Sequence, residues 1–133
     1  MAILISKLPY GKLKTILAGI LFEEIGDGIE NDAHPILYDN FLKSIGIKQE
    51  VLNTADQYCI DKLKAVQTSL KEQSWAYGIG LRGMGGECLC QVYLATMHHY
   101  FMQNKVILDM KSDIEWKFWD IPVSYTHLTL PTT

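Results

Sequence analysis

Three residues of this chain combine a side chain able to hold a metal or a proton with a place in an apolar run. Glu24 continues a stripe made by Leu13, Leu17, Ile20 and Leu21, and His34 shares a helical face with Leu37, Tyr38 and Phe41. Glu87 stands in a glycine-rich apolar segment, with Met84 and Leu94 on its side. A carboxylate in such surroundings is costly unless it is paired, protonated or bound to a metal. Taken singly, each has a plainer reading: a core histidine bonded to the backbone, a helix-end charge reaching water, a glutamate paired with Arg82 or a histidine. Together, two carboxylates and an imidazole on three helices are the beginning of an iron site inside a helical bundle. The expectation is that Glu24, His34 and Glu87 are metal ligands, point inward, are mostly buried, and line one cavity bordered by the segment 83–86.

The elements that must position them read as helices throughout. Pro9 can open the first, since its missing N–H costs nothing in a first turn. The apolar stripe then runs at helical spacing to Ile25 and is stopped by Gly26-Asp27-Gly28. A second helix starts near Asp32 as N-cap, tolerates Pro35 in its first turn, and ends at Gly46. A third spans roughly 54–72 on Tyr58, Leu63, Val66 and Leu70. A fourth, about 74–104, carries Gly78, Gly80, Gly83, Gly85 and Gly86. Each glycine costs a helix about 1 kcal/mol relative to alanine, which is reasonable where another backbone or a ligand must approach closely. A last helix begins at Asp113 and breaks after Asp120. No alternating β pattern of useful length occurs, so the fold class is all-α.

Other candidates for the chemistry are weaker. Glu30, four residues before His34, is an alternative carboxylate partner for it, and Glu23 aligns less well with the stripe. His98 and His99 lie about three turns beyond Glu87, too far to share its metal. No Glu-x-x-His occurs, which counts against the ferritin-like carboxylate bundles. Trp116, Phe118 and Trp119 read as core.

Composition bounds the function. In 133 residues, 48% hydrophobic and 20% charged, there is room for one globular domain at most. The net charge of −3, with no cluster of Lys or Arg, argues against a nucleic-acid partner. The apolar start 1–5 stops at Ser6 and Lys7, short of a secretory signal, and the run 16–22 is too short to span a bilayer, so no membrane partner is expected. Three cysteines make no disulfide framework, and Cys88 and Cys90, two apart on a helix, cannot clamp one zinc. Reduced cysteines in a cytoplasmic protein are the expectation.

The C-terminus breaks with all of this. The run from Val123 to Thr133 abandons the helical pattern, and its first ten residues are the translation, in one frame, of the transposon-end adapter used in sequencing libraries. Pro122 fits a hybrid codon at the junction. Residues 122–133 are therefore expected to be a non-native, adapter-derived tail, leaving 1–121 as a partial domain.

Glu23-Glu24-Ile25-Gly26-Asp27-Gly28, followed by His34-Pro35-Ile36-Leu37 and Leu42-Lys43-Ser44-Ile45-Gly46, resembles the heme-oxygenase-like di-iron oxidases and oxygenases, the iron-containing redox enzymes. Members carry an acidic residue, a Gly-x-Gly loop, a His and a leucine-rich turn in this order. They carry a further Glu on a small-residue-rich helix some fifty residues on, where Glu87 stands here. The resemblance covers roughly 10–121 and implies an incomplete heme-oxygenase-like helical bundle. It further implies two irons in the complete protein and the use of O2 on a small carboxylate or amino-acid-like substrate. The family's remaining ligands, a His-x3-Asp-x2-His on a later helix, would fall from about 117–122 onward, where the adapter begins, and they are absent. This chain would then hold part of the site and be inactive alone. The missing helix would leave an apolar groove that favours association, so a homodimer is compatible with the pattern. Two other readings share the fold: a cofactor-free or heme-binding protein, the glycines near Gly83 resembling a helix laid over a heme, and an inactive interaction module.

Overall fold

A computed structural model describes residues 1–104 and 114–120, and among these every regular element is a helix. In chain order they are α1 (Ala2–Lys7), α2 (Lys12–Glu24), a 3-10 turn (Glu30–Asp32), α3 (His34–Ser44), α4 (Gln49–Leu52) and α5 (Gln57–Glu72). Then come α6 (Trp75–Gly78), a π-helix (Ile79–Gly86), α7 (Glu87–Gln103) and α8 (Lys117–Asp120). The all-α class is as expected. No helix among the described residues is long and apolar enough to cross a membrane. The tail 122–133, and Asp113 as the start of the last helix, lie outside the described residues.

Local chemistry accounts for several boundaries. Asp56 caps α5 by accepting the Tyr58 N–H, and Ser74 caps α6 by accepting the Tyr77 N–H. α2 and α3 both close in the same way. Asp27 N–H bonds to Phe22 O and Gly26 N–H to Glu23 O, and Ile47 N–H bonds to Leu42 O and Gly46 N–H to Lys43 O. This double bond pattern with a glycine in the left-handed region is the Schellman ending. The second helix begins later than expected, with Ala33 and not Asp32 in the capping position.

Two apolar centres hold the helices together. Leu4, Leu8 and Leu17 form one, with Met1, Ile5, Ile20 and Ile79 packed against it. Here α1 crosses α6 at Gly78, where an added Cβ would stand 2.8 Å from Leu4 Cδ1 and 3.2 Å from Leu70 Cδ2. The second centre is aromatic. Phe41, fully buried, meets Phe101, Trp116 and Trp119 at ring-centroid distances of 5.1, 5.7 and 5.4 Å. Tyr58 and Leu63, expected to carry α5 inward, are instead 67% and 64% exposed, and the helix is held through Leu70.

Candidate metal centre

The sequence between Glu24 and His34 is a device for folding one helix end back onto the start of the next. α2 carries lysines in its first turn and Glu23 and Glu24 in its last, and that last turn itself contains no basic residue. That is the reverse of what a helix dipole favours, by about 0.3–1 kcal/mol per charge, so the end of α2 is a place where a cation is welcome. The chain then turns through Gly26, Asp27 and Gly28 at φ 94°, 53° and 87°. Gly26 is required twice over. Its φ suits glycine, and an added Cβ would lie 2.2 Å from Ile29 O and 2.6 Å from Ala33 N. The Asp32–Ala33 peptide thus rests directly on Gly26, and the next residue is His34, the first of α3.

This brings His34 Nδ1 to 3.1 Å from Glu24 Oε2. An ionised carboxylate only accepts, so Nδ1–H is the donor, which in a neutral imidazole places the lone pair on Nε2. The pairing settles the choice of carboxylate: His34 meets Glu24, while Glu30, in the 3-10 turn, is exposed. Both side chains of the pair are only partly buried, where mostly buried ones were expected. The His34 and Glu24 side chains retain 32% and 48% of their exposure, because they sit at helix ends on the rim and not along buried faces. Glu87 opens α7, but its side chain lies outside the described residues. His98 stacks on Trp119 at 5.6 Å and His99 Nε2 lies 2.8 Å from Gln103 Nε2, so neither is engaged at the Glu24–His34 pair. Among the described residues no group of three or more metal-binding side chains is assembled.

A family model described as iron-containing redox enzyme matches residues 1–106, a span that includes Glu24, His34 and Glu87. The chain belongs to the iron-containing redox enzymes. No curated protein and no solved structure matches it. In an iron-containing redox enzyme of heme-oxygenase-like fold, the pair can be tested for its fit to the metal. Donor atoms 3.1 Å apart are close enough to be neighbours in one coordination shell. Carboxylate oxygen and imidazole nitrogen also match iron in ligand type. The pair fits the group, either as two direct ligands or with Glu24 orienting an imidazole that binds through Nε2.

A cavity of ≈ 490 Å³ lies elsewhere, between Ile3 of α1, Leu63, Val66 and Leu70 of α5, and Leu81, Arg82 and Gly86 of the π-helix. It is not the cavity expected around the three ligand candidates, since neither Glu24 nor His34 borders it. The π geometry itself was not foreseen. Clustered glycines, which weaken the α form, were its one signal. Nor does any sequence pattern point to Lys117, whose Nζ donates to Asp32 Oδ1 at 2.6 Å from far along the chain.

Proposed function

We propose that this iron-containing redox enzyme binds iron through Glu24 and His34, with Glu87 as a third ligand. The observation that carries the reading is the Glu24–His34 contact, held by a turn that only glycine can make at position 26. With iron bound, His34 would ligate either through Nδ1, its proton then residing on Nε2, or through Nε2 with Nδ1–H still held by Glu24. Glu23 and Glu24, at the negative end of α2, supply an attractive field for a cation before any ligand bond forms. Iron supplies the redox chemistry by which O2 reacts with a small organic substrate, a carboxylate or amino-acid-like molecule. The family resemblance implies two irons at such a site, of which Glu24, His34 and Glu87 would supply part of the ligand set.

Anaerobic calorimetric titration with Fe(II) tests the ligand set. Binding should be saturable, weakened about 10- to 100-fold in Glu24→Gln and lost in His34→Ala. Equal affinity in all three proteins refutes it. Titration with hemin separates the heme-binding alternative, which would show a sharp, His-dependent absorbance band.

A further inference from the structure

We infer that Lys117 is a positioning residue for the His34 half of this site, acting through Asp32. The inference rests on the metal reading for its consequence but on contacts alone for its mechanics. Asp32 ends the 3-10 turn, and the peptide that follows it is the one seated on Gly26, where Asp32 C and Ala33 N lie 2.9 and 2.6 Å from the position of an added Cβ. That peptide is the surface by which the start of α3 registers against the end of α2. Whatever fixes Asp32 therefore fixes how His34 faces Glu24.

Lys117 holds Asp32 from a firm base. Its ammonium donates to Asp32 Oδ1 at 2.6 Å, with the two side chains 58% and 34% exposed. An isolated pair so exposed would be worth little, since holding two long side chains costs entropy. Here the lysine belongs to a segment docked along the whole of α3. Phe118 packs on Tyr38 at 4.9 Å, Trp119 on Phe41 at 5.4 Å, and Trp119 is 7% exposed. At the far end of α3, Glu115 N–H donates to Ser44 Oγ at 3.0 Å. Residues 115–119 thus grip α3 at both ends and in the middle, and Lys117 is the end that reaches the His34 turn. It also keeps the Asp32 carboxylate occupied, two residues from His34, so that Glu24 is the imidazole's acid partner.

The test uses the full chain with Lys117→Met, Lys117→Arg and Asp32→Asn. In metal-free protein, long-range 1H–15N correlation of the His34 ring reads the tautomer set by Glu24. Wild type and Lys117→Arg should show one Nδ1–H form, whereas Lys117→Met and Asp32→Asn should show tautomer exchange, with the circular dichroism of all four proteins alike. Fe(II) affinity should fall roughly two- to five-fold in Lys117→Met, and no further when Asp32→Asn is added. A His34 ring unchanged by Lys117→Met overturns the inference. So does independent, additive loss in the double variant. A changed ring in a protein that binds no Fe(II) supports the positioning role and refutes only the metal assignment.

Discussion

Replacing Gly26 by alanine should be the most damaging small change available in the Glu24–His34 turn, and its cost can be worked from the contacts. At φ 94° an alanine is held in left-handed backbone, at about 1–2 kcal/mol. Its Cβ would also stand 2.2 Å from Ile29 O and 2.6 Å from Ala33 N. Both belong to the backbone, tied by the Ile29 N–H to Gly26 O bond of 2.8 Å and the Ala33 N–H to Glu30 O bond of 3.2 Å, so they cannot swing aside as a side-chain end would. A total of about 3–4 kcal/mol follows, in the range of backbone-strain substitutions. Gly28 and Gly19 are the controls. Gly28 has φ 87° but its nearest neighbour is Phe22 Cζ at 3.7 Å, so Gly28→Ala should cost only the conformational part, about 1–2 kcal/mol. Gly19, inside α2 with nothing within 4 Å, should gain about 0.5–1 kcal/mol as alanine. Thermal and urea unfolding would read the series, with Gly26→Ala melting roughly 10–20 °C below wild type. If Gly26→Ala costs no more than Gly28→Ala, the Asp32–Ala33 peptide does not rest on Gly26, and the mechanical link between Glu24 and His34 is wrong.

Lys7 closes the end of α5 by donating to Leu70 O at 3.0 Å, to Lys71 O at 2.9 Å and to Gln73 O. Lys7→Met should lower unfolding stability by about 1–2 kcal/mol, since a charge-assisted cap on a helix C-terminus is removed. An unchanged urea midpoint would show the ammonium to be no better placed there than in water. On α7, Leu89, Val92, Tyr93 and Tyr100 form one face and are 57%, 64%, 62% and 63% exposed. Such a face should self-associate, so sedimentation should show concentration-dependent mass that Val92→Lys reduces, and a strict monomer at all concentrations would contradict this.

How much of this was legible depends on where each element gets its stability. The Gly26-Asp27-Gly28 stop and the Gly46 ending could be read directly, because left-handed backbone leaves few residue choices and both Schellman endings use them. The fourth helical stretch was placed to start near Ser74, which proves to cap it. α1 was not foreseen, since six residues have no periodicity to display. It is helical because Leu4 and Leu8 bury themselves against Leu17, a tertiary cause with no local trace. For the site, residue type in apolar runs and the family resemblance pointed to Glu24 and His34 together, and they do meet. Their exposure was missed because periodicity assigns a face and says nothing of position along it. A histidine at the first residue of α3 lies on the rim whatever face it shares with Leu37 and Phe41. The support from Asp32 and Lys117 was invisible, being a contact between side chains that only the folded chain brings together.

The central claim is that Glu24 and His34 bind one iron side by side, and X-ray absorption at the iron edge on Fe(II)-loaded protein measures it most directly. The account predicts nitrogen and oxygen neighbours near 2.1 Å with the outer-shell scattering of one imidazole, and loss of that imidazole pattern in His34→Ala. An imidazole signal that persists unchanged in His34→Ala would place the iron on another histidine and contradict the assignment.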